Sequence, residues 1–255
     1  MGGRSTKALV RRIEAALHPP TGYVRKSLVV LTGTAAITML GSVAIALGTP
    51  VKDRRIDLAE ARHMVRVAQK TSELPIILNE RILGQLNLLL ATPDGRAFVR
   101  ASLARMTRYE DFISAQIRRY GLPPELNAIP VVESGYRNLP AGPDPRRGAG
   151  LWMFIESTAR RSGLTVTRNR DERLSVADET AAAMQLLHSL QLRFNDWSLS
   201  LLAFNTGEIS VEDGIRKTGS RDAWQLIGNG YENDPDYLAR FMAMVLIIKN
   251  PDVLD

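Results

Sequence analysis

One glutamate in the middle of this chain follows a run of apolar residues. Residues 126–134 read Leu126-Asn127-Ala128-Ile129-Pro130-Val131-Val132-Glu133-Ser134. On a helix, residues three or four positions apart lie on the same side, so Glu133 shares a face with Ile129 and Leu126. Burial on such a face desolvates a carboxylate, raises its pKa and suits it to general acid catalysis near neutral pH. Glu133 is therefore a candidate catalytic residue, whereas a helix ending near Gly135 would leave it pointing to water.

The rest of the chain shows helical spacing and no convincing strand pattern. Pro123-Pro124 is typical of a helix start, and Pro130 is expected to kink the helix just before Glu133. Apolar residues recur every three to four positions between residues 57 and 120. Further apolar helices are expected at residues 178–195, 197–204 and 237–248. The predicted fold class is therefore all-α.

The positive charge of the chain is concentrated at its start. The 255 residues carry a net charge of +6. Residues 1–26 contain six basic residues and one acidic residue, a net charge of +5, so only +1 remains for the rest of the chain. A nearly neutral body lacks the broad basic surface that binding to DNA or RNA requires. We therefore expect no nucleic-acid partner.

An uncharged segment follows the basic start directly. Residues 27–48 are 22 consecutive uncharged residues rich in Leu, Val, Ile and Ala, long enough to cross a bilayer as a helix. Because the positive charges precede this segment, the chain is expected to be a single-pass inner-membrane protein of a bacterium, with the residues after about 50 in the periplasm. A cleaved signal peptide is the alternative, since Ala44-Ile45-Ala46 has the small-x-small form of a cleavage site.

Four segments follow from these patterns. They are a basic cytoplasmic segment at residues 1–26, a transmembrane anchor at residues 27–48, a helical linker at residues 49–79 and a globular domain at residues 80–255.

Three short motifs in the globular domain occur in a specific order and spacing. They are Pro130-Val131-Val132-Glu133-Ser134-Gly135-Tyr136, Gly148-Ala149-Gly150-Leu151-Trp152-Met153-Phe154 and Ala203-Phe204-Asn205-Thr206-Gly207-Glu208. Together they resemble the lysozyme-like SLT domain of lytic murein transglycosylases, most closely the membrane-bound D type. The similarity covers roughly residues 80–255. It implies an all-α, lysozyme-like fold and a lyase that acts on peptidoglycan of the cell wall.

The resemblance also implies a reaction with one catalytic carboxylate. Glu133 would protonate the oxygen of the β-1,4 bond between N-acetylmuramic acid and N-acetylglucosamine. As a base, it would then deprotonate the muramyl six-position hydroxyl, which closes a 1,6-anhydro ring. Since no water attacks, the second carboxylate of most glycosidases is not needed. Asp144, in the Pro-rich loop after Glu133, shows no burial signal that would support such a second role.

The remaining site residues are taken from the resemblance one by one. Ser134 is expected to hydrogen-bond near the acid, Asn205 to contact a sugar amide, Gly207 to allow a close backbone turn, and Tyr237 to reach the carboxyl group of Glu133. Without the resemblance, Ser134 is a common helix-end serine, Asn205 and Gly207 form an ordinary turn signal, and Tyr237 is a core tyrosine.

Two positions depart from the family pattern. Met153 stands where glutamine is usual, and Phe204 stands where tyrosine is usual. Each change removes a polar group expected to face the glycan, and one hydrogen bond is worth about twofold to tenfold in affinity or rate. These departures keep two alternatives open: a glycan-binding or sensing module of the same fold, and a hydrolytic muramidase in which water replaces the internal hydroxyl.

No metal or organic cofactor is expected. His18, His63 and His188 are scattered and lack the spacing of metal ligands. The expected partners are peptidoglycan glycan strands and, through residues 27–48, the membrane.

Overall fold

The described part of the computed structural model is built from helices. It covers residues 55–144 and 146–254, so the predicted basic segment and the predicted anchor lie outside it. Within this part there is no β-strand, and no helix is long and apolar enough to cross a bilayer. The all-α prediction is therefore confirmed for the described residues.

Eleven α-helices follow one another within the described residues. They are α1 (Leu58–Gln69), α2 (Glu80–Leu90), α3 (Pro93–Met106), α4 (Glu110–Arg119), α5 (Ile129–Ser134), α6 (Glu156–Arg161), α7 (Val176–Phe194), α8 (Trp197–Thr206), α9 (Glu208–Thr218), α10 (Ala223–Gly228) and α11 (Tyr237–Lys249). Short 3₁₀ helices span Pro124–Ala128, Glu172–Leu174 and Pro251–Leu254.

Local residue chemistry explains many of the helix boundaries. Side chains that accept a hydrogen bond from an N–H of the first turn precede six of the α-helices, which satisfies donors that have no intrahelical partner. These N-cap residues are Asp57, Asn79, Thr92, Ser175, Asp196 and Asp222. Left-handed residues end helices at Gly135, Asn195 and Gly219.

Helix α11 lies at the centre of the core. Ten of its residues are buried, so it is apolar on all sides. It packs against α1, α2, α5, α8 and the 3₁₀ helix Pro124–Ala128. Tyr237 is the first residue of α11, and the charge of Glu133 on α5 acts on its side chain, so α11 begins beside α5.

The segment around Glu133 differs from the single kinked helix that we expected. Residues Pro124–Ala128 form a 3₁₀ helix, and α5 begins at Ile129. Pro130 therefore lies in the first turn of α5. Backbone N–H groups in the first turn have no intrahelical acceptor, so the N–H that proline lacks is not needed there, and Pro130 does not kink a longer helix.

Helix α1 packs in the same core as the residues that follow it. Ala61, Met64 and Ala68 are buried, and the Asn250 side-chain amide donates to the Met64 carbonyl at 3.1 Å. The amide of Asn87 likewise binds the backbone of Ile56. The division into a linker at residues 49–79 and a domain at residues 80–255 stays a prediction.

A buried ion pair joins the end of α11 to the 3₁₀ helix before α5. The Glu125 side chain is fully buried, and its carboxylate lies 2.7 Å from the ammonium nitrogen of Lys249. Lys249 also donates to the Thr71 carbonyl. A buried carboxylate that loses its cation is left with an uncompensated desolvation cost.

We predict that Lys249→Met lowers the free energy of unfolding by about 3 kcal/mol or more, because it leaves Glu125 charged and unpaired in the core. Urea denaturation followed by circular dichroism measures the effect. Lys217→Met is the control, since the Lys217–Asp213 pair lies on the surface and contributes little. The double variant Glu125→Gln/Lys249→Met should recover part of the loss, and equal stability of Lys249→Met and the wild type would contradict the prediction.

Candidate active site

Glu133 lies at the edge of the core. It is the penultimate residue of the six-residue helix α5, which ends at Gly135 in the left-handed conformation, φ 60°. Leu126 and Ile129 are fully buried, as their spacing predicted, but Glu133 is only half-buried. The expectation of a buried face therefore holds for the two apolar residues, and the early end of α5 brings the carboxylate to the border with solvent.

Tyr237 is brought together with Glu133 by the packing of α11 on α5. Its side chain is completely buried, and its pKa is raised well above the usual value. The largest cause is desolvation, followed by the negative charge of Glu133. The hydroxyl lies close enough to Glu133 to be influenced by its charge, but it makes no hydrogen bond of standard geometry with the described residues.

Ser134 faces the backbone rather than the carboxylate beside it. Its hydroxyl is buried within hydrogen-bond distance of two carbonyl oxygens, Leu151 at 2.8 Å and Pro130 at 3.1 Å. The same oxygen accepts the N–H of Arg137 at 3.2 Å. Ser134 therefore fastens α5 to the second motif.

The second motif, residues 148–154, forms a tight loop with two unusual backbone positions. Gly150 has a φ of 85° and Met153 a φ of 55°. Left-handed geometry is unfavourable for a residue with a Cβ, so Met153 needs support from its surroundings. A Cβ on Gly148 would lie 1.9 Å from the Met153 carbonyl oxygen, so this position requires glycine. The Met153 side chain is half-buried.

Trp152 and Thr180 connect this loop to helix α7. The Trp152 ring is buried, and its N–H donates to the Thr180 hydroxyl at 3.0 Å. Trp152 is thus a core residue, in line with the usual behaviour of tryptophan in such a position.

Glu179 is a site residue that the sequence interpretation missed. It lies fully buried on α7, and its two carboxylate oxygens accept the N–H groups of Leu151 and Trp152, each at 2.9 Å. Burial raises the pKa of Glu179 to about 8, against the lowering effect of these two hydrogen bonds. The signal was available: Glu179 stands four positions before Ala183, on the predicted apolar stripe.

The third motif lies at the end of α8. The Phe204 ring packs edge-to-face against Phe154 of the second motif, with the ring centroids 6.4 Å apart. Gly207, with φ 94° and ψ 142°, makes the turn from α8 into α9, a conformation that glycine adopts without strain. The structure therefore brings the second and third motifs into contact.

Three of the buried polar atoms that have no hydrogen-bond partner among the described residues lie in two segments joined by a hydrogen bond. They are Oδ1 of Asn205, Oγ1 of Thr206 and one carboxylate oxygen of Glu232. The Asn233 side-chain amide donates to the Thr206 carbonyl at 3.5 Å, which connects the two segments. Burial raises the pKa of Glu232. Native proteins rarely leave such atoms unsatisfied, so each of these three atoms has the capacity for one further hydrogen bond.

A metal site is not formed by the described residues. No three His, Cys, Asp or Glu side chains in residues 55–144 and 146–254 come together in a group that could hold an ion.

Comparison with known proteins agrees with the motifs and the fold. Residues 111–227 match the family described as the transglycosylase SLT domain. The chain is 31% identical over 177 residues to the membrane-bound lytic murein transglycosylase D of Escherichia coli strain K12 and, equally, to that of strain O6:H1. A putative tributyltin chloride resistance protein of Alteromonas sp. strain M-1 is 29% identical over 106 residues, which are 41% of this chain and 50% of that protein.

The matched region covers 68% of this chain but only 38% of each lytic murein transglycosylase D. The SLT match includes Glu133 and the second and third motifs. The resemblance that rests on these motifs is thereby confirmed, and residues 111–227 of the chain form a transglycosylase SLT domain.

Proposed function

We propose that this protein is a peptidoglycan lytic transglycosylase that cleaves the β-1,4 bond between N-acetylmuramic acid and N-acetylglucosamine and forms 1,6-anhydro-N-acetylmuramic acid. The observation that carries the proposal is the position of Glu133: a half-buried carboxylate at the edge of the core, beside the buried hydroxyl of Tyr237. At this position a polymer can reach the carboxylate. The carboxylate is also partly removed from water, which favours the protonated form that a general acid requires.

One carboxyl group suffices for the complete reaction. Protonated Glu133 donates its proton to the glycosidic oxygen as the bond from this oxygen to the anomeric carbon breaks. The resulting carboxylate takes the proton of the muramyl six-position hydroxyl, whose oxygen bonds to the anomeric carbon. The reaction consumes no water, and Glu133 is protonated again at the end.

Tyr237 supports the charged state of Glu133 between these two steps. Because the pKa of Tyr237 is raised, its hydroxyl stays protonated and serves as a hydrogen-bond donor. A donor aimed at a carboxylate stabilises the negative charge that appears after the first proton transfer. Tyr237 is therefore proposed as the residue that positions the acid and balances its charge.

The environment of Asp144 favours the internal hydroxyl over water as nucleophile. Hydrolysis with inversion or retention ordinarily uses a second carboxylate close to the scissile bond. Asp144 lies on an exposed loop and binds both the backbone N–H and the guanidinium group of Arg146. An exposed carboxylate paired with arginine is poorly suited to activate water.

The unpartnered polar atoms of the third motif suit an amide-bearing sugar. The buried oxygens of Asn205 and Thr206 can accept hydrogen bonds from hydroxyl or acetamido groups of the glycan. The half-buried side chains of Met153 and Phe204 are proposed to line the same glycan path, since Phe204 contacts the loop that carries Met153.

We further propose that residues 27–48 anchor the protein in the inner membrane and that the folded domain works in the periplasm. The uncharged length of this segment and the basic residues before it support this orientation. The relatives named as membrane-bound agree with an attachment to the membrane.

Glu133→Gln is predicted to abolish the release of anhydro-muropeptides from purified sacculi while the fold is kept, because an amide cannot donate and recover the proton. The matched control is Asp144→Asn, which removes a carboxylate of the neighbouring loop and should keep most of the activity. Mass spectrometry of the products made by the full-length chain in detergent is the measurement, with circular dichroism as the test of folding.

The products also separate the proposal from its alternatives. Reducing-end muropeptides in place of anhydro sugars would identify a muramidase. Saturable binding to sacculi without any product from the folded wild type would identify a glycan-binding module. Full activity of Glu133→Gln would exclude Glu133 as the acid.

Met153→Gln and Phe204→Tyr are each predicted to raise the initial rate about twofold to tenfold, because each restores one polar group that can hydrogen-bond the glycan. Glutamine matches methionine in length and carries no additional strain at a φ of 55°. Leu58→Gln, at an exposed apolar residue of α1, is the control and should leave the rate unchanged. A decrease in rate for both variants would show that these positions do not contact the glycan through hydrogen bonds.

A further inference from the structure

We infer that Glu179 is a positioning residue of the active site, whose buried carboxylate holds the loop of residues 148–154 in place against the helix that carries Glu133. The effect of Glu179 on catalysis rests on the proposed function, whereas its contact with the loop does not. Glu179 itself is 0% exposed, so it acts through the loop and does not contact the substrate.

The backbone of the loop of residues 148–154 packs closely against the Glu179 carboxyl group. Both oxygens of Glu179 are used, one by the N–H of Leu151 and one by the N–H of Trp152. A Cβ on Gly150 would lie 2.0 Å from Oε1 of Glu179, so glycine is required where the loop passes the carboxylate. Two consecutive loop amides, which have no helical or strand partner, thus find their acceptors on a single side chain.

A short path of hydrogen bonds leads from Glu179 to Ser134, the neighbour of Glu133. The N–H of Leu151 binds Glu179 at 2.9 Å, and the carbonyl of Leu151 accepts the Ser134 hydroxyl at 2.8 Å. Ser134 directly follows Glu133 on α5. One residue of the loop, Leu151, therefore connects the buried carboxylate of α7 with the helix of the proposed acid.

The residues on either side of Met153 are also held. Trp152 binds Glu179 through its N–H and Thr180 through its ring. The Phe154 carbonyl accepts a hydrogen bond at 3.2 Å from Arg173, a buried arginine paired with Asp171. Met153 can keep its left-handed backbone because both neighbours are fixed. The direction in which its side chain leaves the loop thus depends on Glu179.

The test compares the wild type with Glu179→Gln and with Asp178→Asn, in the full-length chain in detergent. Glutamine keeps the size of the side chain and one accepting oxygen, but its NH₂ group cannot accept from a backbone N–H, so one of the two bonds is lost. Asp178 is the adjacent exposed carboxylate on α7 and serves as the matched control.

Two quantities are measured below the unfolding temperature of every variant: the amide hydrogen exchange of Leu151 and Trp152 by NMR, and kcat and KM for the release of anhydro-muropeptides. In Glu179→Gln we expect exchange at these two amides to be faster and kcat to be lower, each by roughly tenfold, because one buried backbone N–H is left without its acceptor. Asp178→Asn should match the wild type in both.

Each other outcome has a definite meaning. Unchanged exchange in Glu179→Gln would overturn the assignment of Glu179 as the residue that holds the loop. Faster exchange with an unchanged kcat would overturn its role in positioning the active site. If the wild type releases no anhydro-muropeptide, the proposed function fails, and the exchange rates still decide whether Glu179 holds the loop. Glu179→Asp, one methylene shorter, replaces the glutamine variant if that one does not fold.

Discussion

The burial of α11 is the constraint on which the rest of this structure depends. The helix is apolar on all sides, so α1, α2, α5 and α8 must surround it to remove it from water. A large apolar side chain buried in this way contributes about 1.5 to 3 kcal/mol. Since the helix begins with Tyr237, the packing that stabilises the fold also presents the Tyr237 hydroxyl to Glu133. The packing of α11 therefore determines both the stability of the fold and the geometry of the candidate site.

Around this helix, buried ionisable side chains hold the irregular segments. Loop amides and carbonyls lack the repeating partners of a helix and need individual ones. Glu179 supplies acceptors for Leu151 and Trp152, and Arg173 supplies a donor for Phe154. Arg240 pairs with the buried Asp234 just beyond the segment that carries Glu232. Hydrogen bonds from buried side chains thus fix the conformation of the loops that border the proposed glycan path.

The proposed reaction requires only a few groups of the protein. A half-buried acid, a buried tyrosine hydroxyl beside it and a path lined by unpartnered oxygens are sufficient for a reaction in which the substrate provides its own nucleophile. In the proposed site, Met153 and Phe204 adjust contacts with the glycan and leave the acid unaltered. This separation explains why two departures from the family pattern are compatible with the proposed activity.

The sequence by itself determined the all-α class of the described residues, the approximate bounds of three apolar helices and the resemblance to the SLT domain. Periodicity and capping act over a few residues, and the three motifs are contiguous. The tertiary structure alone decided how exposed Glu133 is, which backbone groups Ser134 binds, and that Glu179 belongs to the site. These features join residues that are far apart in the chain, 17 positions for Ser134 and Leu151 and 28 for Glu179 and Leu151. Such contacts depend on how the helices pack against one another, and a local sequence pattern does not predict that packing.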